Sequence, residues 1–135
     1  MKSRIIFSRK SDNWSTPNNI YSYYMRNNYF DPCPLNSNFN GLNISWKKRN
    51  FVNPPYSNIR AWLEKAEQEL KRGAEVVVFL IPARTDTKYF HEIIYNKHDI
   101  IFIKGRLKFG GCKNSAPFPS MYIFMYKNGK RNNQV

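Results

Sequence analysis

Long apolar runs are missing from these 135 residues. Nothing approaches the roughly 20 residues that a membrane-spanning helix needs. The N-terminal Met1-Lys2-Ser3-Arg4-Ile5-Ile6-Phe7 carries only three apolar residues behind its charges, too few for a secretory signal. Cysteine is scarce as well. Cys33 and Cys112 have neither the number nor the spacing of a disulfide framework or a metal quartet, so both are expected to be structural thiols, with no metal site. Together these absences predict a cytoplasmic protein without membrane contact. Acidic residues are also few: 9 Asp and Glu face 22 Lys and Arg, a net charge of +13. Such a surplus favours a polyanionic partner, because cationic faces attract phosphate and release its counterions.

What is present suffices for a core. The hydrophobic fraction is 41% and includes 10 Phe, enough for one domain over residues 1–135 that folds without staples. Its ordered part is expected from about residue 12 to residue 127. The first dozen residues and the tail from Asn128 are polar and expected to be mobile.

Between the termini, helical and extended patterns alternate. Thr16-Pro17 predicts an N-cap followed by proline at the first helical position, opening a helix to about Met25. Tyr29-Phe30 and Asn50-Phe51-Val52 read as short strands, each stopped by prolines. Ser57 is a candidate cap for a helix in which Ile59, Trp62, Leu63, Ala66 and Leu70 recur at helical spacing, with Gly73 ending it. Val76 to Ile81 is a continuous apolar run, the pattern of a strand buried on both faces. Thr85 or Asp86 could cap a helix carrying Tyr89, Phe90, Ile93 and Ile94. Ile100 to Lys104, Arg106 to Gly111 and Met121 to Tyr126 read as further strands. This order predicts an α/β fold with a mostly parallel sheet and an antiparallel edge. Ligands in such sheets sit beyond the carboxyl ends of the strands, at a rim shared by Asp31, Asn53 and Pro82.

Asn53-Pro54-Pro55-Tyr56, directly after a strand, carries the sharpest chemistry. An aromatic exocyclic amine is a poor nucleophile because its lone pair is delocalised into the ring. The Asn53 carboxamide oxygen and the Pro54 carbonyl could accept both amine protons and so favour the tetrahedral nitrogen of the transition state. Two prolines would stiffen the backbone there. Tyr56 either stacks on the base or serves only as packing in a strand-to-helix turn.

The chain resembles the phage-type DNA adenine-N6 methyltransferases, the Dam-like family of phages and prophages. The resemblance rests on Trp14-Ser15-Thr16-Pro17, Phe30-Asp31-Pro32-Cys33, Phe51-Val52-Asn53-Pro54-Pro55-Tyr56-Ser57, the stretch Leu80 to His91, Ile103 to Gly110, and Ala116 to Ser120, in that order. It implies S-adenosylmethionine as methyl donor, adenine in DNA as acceptor, and a compact, abbreviated Rossmann-like fold working in the cytoplasm of the cell or infected host. Asn53, Pro54, Pro55 and Tyr56 match the family's catalytic motif. Trp14, Thr16 and Pro17 resemble a cofactor-contacting Thr-Pro loop, and Asp31, with Pro32 and Cys33, could hold the methionine ammonium. Asp31 could equally cap the turn before Pro32. Arg84, Lys88, Arg106 and Lys108 are candidate phosphate contacts or solvated charges. Phe109 would stack on an extruded base or pack in the core, and His91 is expected to be structural.

The pattern departs from related enzymes in two ways. No Gly-rich loop follows the first strand, and Asp31 is the only acidic residue between Asp12 and Glu64. An acidic partner for the cofactor ribose is therefore not identified. Rival readings are methylation of a protein glutamine or of RNA adenine, and a nucleic-acid-binding protein that keeps the fold without catalysis.

Overall fold

The computed structural model describes residues 14–131, so the first thirteen residues, Asp12 among them, and the last four lie outside the described residues. Four strands, β1 (Arg49–Val52), β2 (Val76–Pro82), β3 (Asp99–Phe102) and β4 (Ser120–Tyr126), form one sheet in the order β1-β2-β4-β3. Two helices, α1 (Asn18–Arg26) and α2 (Ile59–Arg72), accompany it.

β2 is buried at all seven of its positions, as its unbroken apolar run predicts. Alternate side chains serve two cores. Val77, Phe79 and Ile81 pack with Val52 and with Trp62, Leu63, Ala66 and Leu70 of α2. Val76, Val78 and Leu80 pack with Phe51, Tyr24 of α1, and Phe109. The apolar stripe of α2 is the one its spacing predicts, and each large side chain it buries is worth roughly 1.5–3 kcal/mol. Gly73 closes that helix at φ 146°, a conformation that glycine tolerates.

The sheet is mixed, not mostly parallel. β1 pairs with β2 in parallel, but β4 is antiparallel to both β2 and β3 and lies between them. The antiparallel strand is thus central, not at an edge. Tyr29-Phe30 shrinks to one parallel bridge, Phe30 with Asn50. Arg106 to Gly111 forms no strand. That segment leaves the sheet and folds against the N-terminal segment, where Gly110 N donates to Ser15 O at 2.8 Å.

Three capping expectations change as well. Pro17, not Thr16, occupies the N-cap of α1, which has no side-chain cap. Tyr56–Asn58 makes a 3-10 turn, so Ser57 lies inside it and Asn58 precedes α2. After β2, Thr87 Oγ1 accepts from Phe90 N at 3.3 Å, ahead of a π-helical turn over Phe90–Ile94. Part of the expected loose tail is anchored: Gly129 N donates to Tyr126 O, and Arg131 lies over the Tyr126 ring.

Candidate active site

Beyond the carboxyl end of β1, the chain turns through Asn53-Pro54-Pro55-Tyr56 before α2. Asn53 is half-buried. Its Nδ2 donates to the Trp14 carbonyl and to Thr16 Oγ1 (3.0 Å), and its Oδ1 accepts from the Tyr56 hydroxyl at 3.1 Å. A backbone carbonyl can only accept, so the face of the amide toward Trp14 must be the NH2. The carbonyl end is thereby assigned, with one lone pair engaged by Tyr56 and a second available by inventory. Thr16 is freed for this contact because Pro17 takes the cap position of α1.

Tyr56 itself is buried. Its ring stands edge-on to Phe118 (5.7 Å) and Phe109 (6.5 Å), and burial pushes its phenol above the ordinary tyrosine range. It is therefore a protonated donor to Asn53, placed for packing instead of open to a stacking base. Phe109 is 1% exposed and meets Trp14 at 5.5 Å and Phe118 at 6.0 Å. Of its two readings, the structure realises core packing. These four rings lock the motif turn, the loop after β3 and the Trp14 segment together.

A cavity of about 320 Å³ opens beside this cluster, lined by Trp14, Ser15, Thr16, Asn18, Tyr21, Asp31, Cys33, Pro34, Leu35 and Asn53. That size falls in the ligand-pocket range of roughly 300–1,000 Å³. It gathers Trp14, Thr16, Asp31, Cys33 and Asn53 from three segments far apart in sequence. Pro17 and Pro32 are buried and are not among its lining residues. Pro54 is buried and Pro55 half-buried in the turn, where the Pro55 carbonyl accepts from Asn58 N. Arg84, Lys88, Arg106 and Lys108 are exposed and none of them lines the cavity. His91 is exposed too, its ring Nε2 2.7 Å from the Thr85 carbonyl.

Asp31 caps the turn before Pro32, one of its two expected roles, its Oδ1 accepting from Cys33 N at 2.9 Å, and it also lines the cavity. Burial pushes its carboxyl up to about 6, against the lowering effect of the Cys33 N–H and the Tyr21 hydroxyl. Tyr21 was not singled out by the sequence. It lies one helical turn after Asn18, and i,i+3 spacing puts both on the cavity side of α1. That spacing was the signal available for finding them.

Behind the wall, Gly41 sits against Pro32. A Cβ there would lie 1.9 Å from the Pro32 oxygen and 2.8 Å from the Trp62 ring, so only glycine permits this approach.

Neither a search of the curated proteins nor one of the solved structures finds a match. A family model does match, for DNA N-6-adenine-methyltransferase (Dam), over residues 3–131. With that span covering almost the whole sequence, the chain belongs to the DNA N-6-adenine-methyltransferase (Dam) family.

Proposed function

We propose that this protein transfers a methyl group from S-adenosylmethionine to the N6 amine of adenine in DNA, with Asn53 as the residue that activates the amine. The observation that carries this reading is the fixed orientation of the Asn53 carboxamide at the cavity wall. Its NH2 is held by Trp14 and Thr16, so its oxygen is preset as an acceptor and needs no reorganisation when positive charge develops on the amine. The Pro54 carbonyl is the second acceptor, and Pro55 and the Tyr56 hydroxyl hold the turn.

The cavity suits the amino-acid end of the donor. Among the described residues Asp31 is the one carboxylate lining the cavity, and it would hold the cofactor ammonium, with Trp14, Thr16 and Cys33 in the surrounding wall and Pro17 and Pro32, their buried chain neighbours, stiffening it. Among the described residues, no second acidic side chain lines the cavity for ribose hydroxyls. When bound, the cofactor would supply an electrophilic methyl on sulfonium sulfur, which the amine held by Asn53 would take in line, the S–CH3 bond breaking to leave the S-adenosylhomocysteine thioether and the amine proton passing to solvent. An abbreviated Rossmann-like fold, organised as one domain, is the architecture this reading implies.

The target adenine would swing out of the duplex, at a cost of a few kcal/mol, to reach Asn53. Arg84, Lys88, Arg106 and Lys108, all exposed, would hold phosphates around the rim. Lys108 adjoins Phe109 and Gly110, which dock on the Trp14 segment. Among the described residues, no helix is long and apolar enough to cross a membrane, and a DNA substrate places the enzyme in the cytoplasm of the cell or infected host.

Incubation with labelled S-adenosylmethionine and unmethylated DNA, followed by nucleoside analysis, tests acceptor and base together. N6-methyladenine is expected, and Asn53→Ala should lower turnover by roughly 100–1,000-fold in protein that still folds, its melting temperature lowered only by the lost hydrogen bonds, about 1 kcal/mol each. Label in protein or RNA alone, or an Asn53→Ala enzyme of near-normal rate, overturns the reading.

A further inference from the structure

A group of cations lies away from Asn53, at the other end of the sheet. β1 and β2 run toward the rim, and β4 runs back, so Arg49, Val76 and Tyr126 stand level at the opposite end of the sheet. There Glu75 N donates to Lys48 O (2.8 Å) and Lys127 N to Glu75 O (3.0 Å), which sets Lys48, Glu75 and Lys127 side by side across three strands. α2 ends at the same place with Lys71 and Arg72. Lys47, Lys48, Arg49, Arg72, Lys127 and Arg131 are all exposed, and the exposed carboxylate set among them is Glu75. Glu69, the other acid nearby, is buried and consumed by Lys65 (2.8 Å) and Arg72 (3.0 Å).

Two features make this more than a solvated charge run. Arg49 lies over the Tyr29 ring at 5.3 Å and Arg131 over Tyr126 at 4.1 Å. Stacking restrains each guanidinium before any ligand arrives, so less side-chain entropy is lost when its N–H edge meets a phosphate. The surface is also concave. A groove of about 470 Å³ is lined by Ser45, Lys47, Lys48, Arg72 and Gly73, together with Glu69, whose carboxylate is already paired with Lys65 and Arg72.

We infer that this end of the sheet is a second, sequence-independent binding surface for duplex DNA, separate from the rim that presents Asn53. β2 has seven residues, which at about 3.3 Å each set the two ends roughly 20 Å apart. One straight duplex docked over the rim leaves the far end free, so the chain can hold two segments at once and pass between them. The inference leans on the proposed function only for the first duplex; its readout does not need methyl transfer.

The test uses the full chain with two short duplexes of unrelated sequence, one carrying a fluorescence donor and the other an acceptor. At low salt the wild type should bring them together. The Lys47→Gln/Lys48→Gln/Lys127→Gln triple variant should lose energy transfer yet still bind one duplex at the rim, with the slope of log affinity against log salt for that duplex unchanged, because none of its phosphate contacts is removed. The corresponding triple Lys→Arg variant should restore bridging. Absence of bridging by the wild type overturns the inference. So does bridging that survives in the Gln variant, which would assign it to association between copies, and so does loss of all duplex binding, which would make this the sole DNA surface. Capture of phosphatidylserine vesicles in place of duplex, abolished in the Gln variant, would assign the surface to a membrane. If bridging behaves as expected but no methyl is transferred, the second surface stands and the enzymatic reading falls.

Discussion

The Tyr56 hydroxyl donates to Asn53 Oδ1 at 3.1 Å, so the last residue of the four-residue turn holds the first. The ring meanwhile belongs to the aromatic cluster with Phe109 and Phe118. Tyr56→Phe therefore separates the two roles. Packing should survive, with stability lowered by about 1 kcal/mol for one hydrogen bond. Turnover should fall roughly tenfold, the equivalent of about 1.4 kcal/mol, with KM for DNA unchanged. A raised KM with full turnover would show instead that the hydroxyl, not the ring that Phe retains, contacts the DNA.

Phe109→Ala asks the same question of the opposite ring. A buried Phe replaced by Ala costs about 3–5 kcal/mol, so the loss should show in the melting temperature. Binding of a short duplex by the fraction that remains folded should be normal. Weak DNA binding at full stability would return Phe109 to the interface.

Asp31 carries a pH signature. Burial raises its folded-state carboxyl to about 6 from 3.8. A raised carboxyl stabilises the fold most below pH 3.8, and that contribution is lost as pH rises through about 6. Asp31→Asn should therefore melt higher at pH 8, by on the order of 2 kcal/mol, and show no gain at pH 4. The same change should weaken S-adenosylmethionine binding, and wild-type affinity should fall as pH drops below 6 and the carboxylate takes up its proton. Calorimetry across that range checks both effects.

His98 works with the opposite sign. It is buried, neither ring nitrogen has a hydrogen-bond partner, and burial pulls its pKa down to about 4. The unfolded chain takes up a proton near 6.5 that the folded chain resists, so stability present above pH 6.5 is lost progressively toward pH 4. His98→Leu should flatten that loss, which melting curves at pH 7.5 and pH 5 would record.

Gly41→Ala tests the wall behind Asp31. With Pro32 and the Trp62 ring in the way, the added methyl must displace backbone, at a cost of about 1–3 kcal/mol or more. Cofactor affinity should drop together with the melting temperature, because Pro32 follows Asp31 directly.

Local pattern was enough for much of this molecule. The apolar run of β2, the helical stripe of α2 and the stiff turn after Val52 depend on near neighbours, whose periodicity and backbone preferences are written in the residues themselves. Asn53 and Asp31 were legible for the same reason: each ends an extended segment against prolines. Tertiary structure decided the rest. Whether β4 enters the sheet between β2 and β3, and in which direction, depends on pairings between distant segments that periodicity cannot encode. The departure of Arg106 to Gly111 from the sheet follows from Phe109 burying its ring against Trp14 and Tyr56, and the Thr16 hydroxyl serves Asn53 because Pro17 occupies the cap. The basic end of the sheet has the same origin. Its lysines and arginines come from segments as distant as Lys47 and Arg131, and only the antiparallel return of β4 makes them neighbours.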